Sequence, residues 1–380
     1  TTVSLANSSV LHTLDIFELC TISKASSRLI PISHPILLTK YNDKGLIGLH
    51  NLGNTCYINA CIQILSNTYE LHDILESKSF QQHLKNDDDG VITKEWNDLQ
   101  NVMWSKNGKL SPQRFIHFVR TVAEKKGYTL FSGYSQNDAC EFVLFFLEII
   151  HKSASRKVTF VINGNVHNET DKLALQCYNT KKTIYEKDYS EMLDLFYGLY
   201  YRKIVSMNTK KIHSINPELF FLLNLPVLEN NQPLTTLDQC LRTYLTPEKL
   251  TGENAWYNEE TKQKEDVYIE TGFWSIPRVF AVNFSRFSPF GQKIQHVIDF
   301  PIDHLDMSPY VDGYNPESYK YELYGIVNHI GNINNGHYTA FVKNSQNQWF
   351  HYDDEIIQKV SGEELLKTPH AYCLFYRQKK

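Results

Sequence analysis

Apolar residues recur three and four positions apart in Ile58–Leu65 and again in Phe142–Ile150. That period predicts helices within residues 45–150, two of them separated by a polar loop at Lys85–Gly90. From about residue 155 the pattern changes to alternating or β-branched runs at Lys157–Ile162, Tyr200–Ser206, Val279–Phe284, Tyr321–Val327, Tyr338–Val342 and Ala371–Tyr376, which predict strands. Helices first and strands after predict an α+β fold: a helical lobe over about 45–155 faces a sheet-rich lobe over about 156–378. A site built from both lobes would lie in the cleft between them. Residues 1–44 read as an N-terminal extension. They combine a short amphipathic stretch (Leu14, Ile16, Phe17, Cys20) with an extended Leu29–Leu38 broken by Pro31 and Pro35.

Composition narrows the function classes. A net charge of −4 over 380 residues, with no dense Lys/Arg tract, leaves nucleic acid without an electrostatic footprint. The longest apolar stretch, Leu219–Leu228, is too short to span a bilayer and contains Asn224 and Pro226, so no membrane partner is expected. Seven cysteines are scattered without a C-x-x-C pair, which suggests neither a disulfide framework nor a zinc site. Such thiols fit a reducing compartment, cytoplasmic or nuclear. The chain begins at Thr1, not Met, which leaves open a processed or trimmed piece of something longer.

The segment from Gly48 to Gln63 carries the chemistry. Gly and Asn turn residues run into a helical pattern whose Ile58, Cys61, Ile62 and Leu65 share one face. Asn54 or Thr55 can cap that helix, which places Cys56 in its first turn. Unpaired N–H groups and the positive helix end favour a thiolate there, and the same N–H groups can bond an oxyanion formed beside it. Asn51, five residues upstream, could turn its amide to the same oxyanion. The plain alternative is a buried cysteine at the start of a core helix, and Cys61, on the apolar face, takes that reading.

A thiolate needs an imidazole partner. Among fifteen histidines, His72, His83 and His151 fall in helical, polar contexts and are expected at the surface. His337 instead follows a Gly/Asn-rich loop, Gly331–Gly336, and opens the strand Tyr338–Val342. A carboxylate of Asp353-Asp354-Glu355 could accept its Nδ1–H and stabilise the imidazolium. His351, flanked by aromatics, reads as structural.

The run Gly48-Leu49-x-Asn51-Leu52-Gly53-Asn54-Thr55-Cys56-Tyr57-x-Asn59, followed by Gln63, resembles the cysteine box of the ubiquitin-specific proteases. Tyr324–His329, Gly336-His337-Tyr338-Thr339-Ala340 and Trp349 with Tyr352-Asp353-Asp354 resemble that family's histidine box, and Ala371–Tyr376 its end. The resemblance covers roughly residues 45–378. It implies a papain-like cysteine protease in a right-hand arrangement: helical thumb, β-rich palm and β fingers. It makes Cys56 the nucleophile and His337 the base, with Asp353 as orienter. Asp354 is the neighbouring acidic position, and the residues alone do not separate the two.

Ser135-Gln136-Asn137-Asp138 resembles the family's Gln-Gln-Asp box, with Asn137 in place of the second Gln. The resemblance implies that Gln136 and Asp138 line the path of ubiquitin's Leu-Arg-Gly-Gly tail, Asp138 near the arginine. Asp138 followed by Glu141 also has capping-box spacing, so a structural role stands beside the functional one. Phe280–Phe287 matches the Leu-x-Arg-Phe strand, while Ser288–Gln292 and Gly331–Gly336 match loops that gate the tail cleft. Where the family often carries two zinc knuckles, this chain has Ser206 to Thr209 and Asn258 to Thr261 with no cysteine, so metal-free fingers are expected.

The resemblance thus implies a deubiquitinase that needs no cofactor, with ubiquitin and ubiquitinated proteins as partners; regulatory protein partners are left open. Two alternatives stay open: a catalytically weak ubiquitin-binding scaffold, and a protease for another Gly-Gly-tailed modifier.

Overall fold

The computed structural model describes residues 21–23, 38–333 and 335–379. The amphipathic stretch at 14–20 and most of the extended 29–38 segment lie outside these. Thr21–Ser23 pairs antiparallel with Thr159–Val161. Tyr41 is buried, stacked on Tyr69 at 4.4 Å and edge-on to Trp104 at 4.8 Å.

The helical lobe forms around Cys56–Ser66, whose every residue is buried. A helix covered on all sides belongs at the centre of a core. Its neighbours are the helix Ala139–Ser153 on one flank and the strand Gly336–Lys343 on the other. The helix Ala139–Ser153 turns Phe142, Val143, Phe146 and Ile150 inward. Phe146 meets Trp96 at 5.0 Å and Phe115 at 5.6 Å, joining the helices Asp88–Met103 and Gln113–Lys125. Truncating such an aromatic to Ala costs about 3–5 kcal/mol, so this cluster is a main support of the lobe.

The expected loop at Lys85–Gly90 is shorter than predicted. Asp87 caps the following helix through Gly90 N–H (2.9 Å), so Asp88, Asp89 and Gly90 are its first turn. Capping chemistry outweighed the local polarity.

The sheet lobe holds an eight-stranded sheet. Its main path runs Ile356–Lys359, Trp349–Asp353, Gly336–Lys343, Lys320–Gly331, Ala371–Gln378, Val279–Ser285, Leu222–Pro226, and Leu305–Asp306 pairs beside it. All pairs are antiparallel except the last two strands of that path. A four-stranded sheet, Glu248–Leu250, Val267–Ser275, Gly198–Ser206 and Ile212–Phe220, holds Ser206 of the expected fingers.

Three helices in this half were not anticipated: Glu169–Lys187, Glu191–Phe196 and Leu237–Leu245. The first is capped by Asn168 onto Asp171 N–H (2.8 Å), the last by a Thr236/Gln239 capping box. Among the described residues no helix is long and apolar enough to cross a membrane.

Candidate active site

The turn before Cys56 is knit by one side chain. Asn51 Oδ1 accepts from Gly53 N–H (3.0 Å), Thr55 N–H (3.2 Å) and the Thr55 hydroxyl (3.3 Å). Gly53 (φ 89°) and Asn54 (φ 54°) both occupy the left-handed region, which this pair of residue types tolerates best. Thr55 is the N-cap residue, but its hydroxyl takes Leu52 N–H (2.8 Å) instead of a helix N–H. The first-turn N–H groups have no acceptor within the helix, so they stay oriented around Cys56, the first helical residue.

His337 sits at the start of its strand, and its Nε2 lies 2.6 Å from Asp353 Oδ1, at the end of the neighbouring strand. The carboxylate therefore faces Nε2, not the Nδ1 expected from the sequence. This leaves Nδ1 as the ring nitrogen for Cys56, with which His337 also hydrogen-bonds. The bond to Cys56, followed by that to Asp353, pushes the imidazole up to about 9 against the opposing effect of partial burial. An imidazole held between a thiol and a carboxylate is the arrangement a nucleophile–base pair requires.

Asp354 has different hydrogen-bond partners from Asp353. It lies in a left-handed turn (φ 48°) and accepts from Asn51 Nδ2 (2.9 Å) and Asn59 Nδ2 (2.8 Å). Its carbonyl accepts Leu49 N–H (2.8 Å). The acidic hairpin thus docks directly on the nucleophile segment. Gly48 makes this approach feasible, because a Cβ there would meet the Glu355 carbonyl oxygen at 2.3 Å. Asn59 was not singled out from the sequence as a site residue. Its signal was its place in the cysteine box, one helical turn after Cys56.

On the thumb side, Asp138 caps the helix Ala139–Ser153 through Cys140 N–H (2.8 Å) and Glu141 N–H (3.0 Å). Its second oxygen accepts the Tyr372 hydroxyl (2.5 Å), a partner the sequence reading missed. Gln136 Oε1 accepts Gly336 N–H (3.2 Å), and Asn137 Nδ2 donates to Leu130 O (2.5 Å) and Ser135 O (3.0 Å).

The other histidines divide differently from expectation. His72 and His151 are buried, each pushed down to about 4 by that burial, and His151 Nδ1 pairs with Ser190 Oγ at 2.8 Å. Tertiary packing covered helix faces that read as polar. His351 Nε2 contacts Thr339 Oγ1 at 3.0 Å, a structural position.

His337, Asp353 and Asp354 are close enough together to hold an ion. Their ligand atoms already answer one another or the Asn51 and Asn59 amides, and a cation would compete with the His337 proton. In the fingers, Ser206 Oγ accepts Thr209 N–H (3.1 Å), and Asn258 Oδ1 accepts Glu260 N–H (2.9 Å) and Thr261 N–H (3.3 Å). Asn258 Nδ2 and Ser206 both hydrogen-bond Glu265, and His213 Nε2 lies 3.1 Å from that carboxylate. Neutral hydroxyl and amide groups are poor zinc ligands. Here they close the two turns onto a carboxylate.

Known proteins resemble this chain over most of its length. The family profile described as Ubiquitin carboxyl-terminal hydrolase matches residues 47–376. Human Ubiquitin carboxyl-terminal hydrolase 2 is 27% identical over 345 residues, 88% of this chain and 55% of that protein. Human Ubiquitin carboxyl-terminal hydrolase 21 is 28% identical over 371 residues, 90% of this chain and 63% of that protein. This chain therefore covers less than two thirds of either relative. The solved SAGA DUB module of Ubp8, Sgf11, Sus1 and Sgf73 bound to monoubiquitin matches with a TM-score of 0.68 at 25% identity, over 90% of this chain and 70% of that one. The same module bound to ubiquitin aldehyde matches with a TM-score of 0.67 at 25% identity, over 90% of this chain and 71% of that one. With the profile spanning both lobes and the nucleophile segment lying inside it, the chain belongs to the ubiquitin carboxyl-terminal hydrolase family.

Proposed function

We propose that the chain is a thiol-dependent deubiquitinase that hydrolyses the isopeptide or peptide bond after ubiquitin's C-terminal glycine. The observation that carries this reading is the placement of His337 between Cys56 and Asp353, at the first turn of a buried helix. The matched structures bound to ubiquitin and to ubiquitin aldehyde support ubiquitin as the partner.

In this mechanism the Cys56 thiolate attacks the carbonyl carbon of the terminal glycine. The resulting oxyanion takes hydrogen bonds from the helix N-terminus and from the second N–H of Asn51 Nδ2, the first being held by Asp354. The His337 imidazolium gives its proton to the leaving amine, the carbon–nitrogen bond breaks, and a thioester to Cys56 remains. Neutral His337 then takes a proton from water, whose oxygen attacks the thioester. Free ubiquitin leaves as its carboxylate and Cys56 is regenerated. Asp353 holds the ring in register throughout, and no cofactor enters any step.

Gln136 and Asp138 line the tail path in this reading, with the Asp138 carboxylate facing the tail arginine. A reducing cytoplasmic or nuclear compartment is supported by six free, buried cysteines among the described residues.

The test is hydrolysis of a fluorogenic ubiquitin C-terminal amide, together with labelling by electrophile-tipped ubiquitin and ubiquitin-like probes. Turnover that disappears in Cys56→Ala, with ubiquitin binding retained, is the expected result. No turnover by the wild type, or preferential labelling by another modifier, would overturn the proposal.

A further inference from the structure

The cleft between the lobes is bridged one residue from His337. Gln136 Oε1, from the thumb segment before the helix Ala139–Ser153, accepts the N–H of Gly336 at 3.2 Å across 200 positions of sequence. Both residues are only partly buried. A peptide delivering its last carbonyl to Cys56 between thumb and palm meets this bond.

The two halves of the bond differ in freedom. Gly336 is strand backbone, paired opposite Gly331, while Ile330 pairs with His337. The loop between is tied to itself, Asn332 N–H to Asn335 O at 2.8 Å and Asn335 N–H to Asn332 Oδ1 at 2.9 Å. A Cβ at Gly336 would meet His329 Nε2 at 2.2 Å and Ile330 O at 2.8 Å, so this backbone has no slack toward the sheet. On the thumb, Asn137 and Asp138 fix the backbone on one side of Gln136. Its own side chain retains three rotatable bonds. Motion therefore falls to the Gln136 side chain.

We propose that Gln136 is a clasp over the tail cleft, closed on Gly336 in the free enzyme and opened by rotation of its side chain when a tail enters. The proposal rests on the ubiquitin-tail reading above. Gly336 N–H is a donor and Gln136 Oε1 an acceptor, the complement of the C=O and N–H along an extended backbone. One intramolecular bond is exchanged for two bonds to the tail. Residues without side chains reach both groups, which deepens the selection for Gly-Gly.

The experiment has two parts. In the free protein, hydrogen exchange at the Gly336 amide reports the clasp directly. Gln136→Met, unbranched but lacking the acceptor, should lose protection there, and Gln136→Glu, which keeps an acceptor, should retain it. In a Cys56→Ala background, Gln136→Met should speed ubiquitin association about two- to tenfold, the span of one ordinary hydrogen bond, and speed dissociation as well. Unchanged Gly336 protection in Gln136→Met, or an unchanged association rate, would overturn the clasp. Failure of ubiquitin to bind Cys56→Ala at all would instead overturn the ubiquitin reading, and the exchange result would still decide the clasp.

Discussion

Asn51 and Asp354, 303 positions apart, are joined by a hydrogen bond of 2.9 Å from Nδ2 to Oδ2. The other face of the Asn51 amide is held by three donors of the Gly53–Thr55 turn. Its orientation is therefore determined from both ends, with one N–H on Asp354; in the proposed mechanism the second N–H meets the charge developing beside Cys56. The two adjacent carboxylates have separate partners: Asp353 the His337 imidazole, Asp354 the Asn51 and Asn59 amides.

That division predicts a non-additive pair. Asn51→Ala should slow kcat on the order of ten- to a thousandfold while sparing ubiquitin affinity. Asp354→Ala should slow it in the same sense, and the double variant should be no slower than Asn51→Ala, because in the proposed mechanism Asp354 reaches the oxyanion only through Asn51, its bond to Asn59 being structural. Losses in kcat that multiply would show that Asp354 has an independent role. Asn51→Asp is a poor substitute for this cycle, since it sets a second carboxylate against Asp354 and should lower thermal stability along with rate.

The proton on His337 gives a second prediction. In the wild type the imidazole is raised from its ordinary 6.5 to about 9, first by Cys56 and then by Asp353. A raised value means that the folded state gains from protonation below about 6.5 and loses that gain as pH rises through about 9. Nitrogen NMR of the ring should show titration near 9 in the wild type and a clear fall in Cys56→Ala. Asp353→Asn should lower it too and draw in the alkaline limb of kcat/KM, whereas Asp354→Ala should leave it in place. A ring value unmoved by Cys56→Ala would break the assigned pairing.

The Cys56–His337 pairing was legible because each residue sits in a contiguous stretch whose turn chemistry is local: Gly53-Asn54-Thr55 before Cys56, and the Gly/Asn loop before His337. Relations between stretches were not. Nothing near Asn51 in sequence shows that Asp354 will meet its amide, and nothing near Asp138 shows Tyr372. The ring nitrogen facing Asp353 follows from how two strands are registered, Ala340 opposite Tyr352, which no local pattern encodes. The helix Glu169–Lys187 escaped because its apolar stripe is thin, with Leu173, Ala174, Cys177 and Tyr185 buried along 19 residues. His72 and His151 misled for the opposite reason, since their polarity concealed burial imposed by neighbouring elements.

The fingers supply a third prediction. Glu265 is pulled down to about 2, chiefly by hydrogen bonds from Ser206 and Asn258, with His213 contributing. A depressed value stabilises the fold above the ordinary 4.5 of glutamate and loses that contribution as pH falls toward 2. Glu265→Gln should move acid unfolding of the fingers to higher pH, read by hydrogen exchange in Gly198–Ser206, while strong chelators should leave the wild type unchanged. About one tightly held zinc per chain by elemental analysis would contradict this account of the fingers.

The last prediction separates the two roles open to Asp138. As a helix cap it accepts two N–H groups through Oδ1, and loss of such a cap costs about 1 kcal/mol. As a tail contact it needs its negative charge. Asp138→Ala removes both, so a fall in activity there is uninformative. Asp138→Asn keeps an Oδ1 acceptor for Cys140 and Glu141 but is neutral, and it can still meet the Tyr372 hydroxyl. Thermal stability should then stay near wild type while KM for ubiquitin substrates rises several-fold with little change in kcat, because uniform binding has been lost. Tyr372→Phe runs the converse test: it frees Oδ2 of Asp138 without changing the charge, so its effect on KM should be smaller than that of Asp138→Asn. The charge contribution should also shrink with salt, as an exposed carboxylate–guanidinium contact does. If Asp138→Asn matched the wild type in KM at low salt, the carboxylate would be a helix cap alone, and the tail arginine would have to find its partner elsewhere on the cleft.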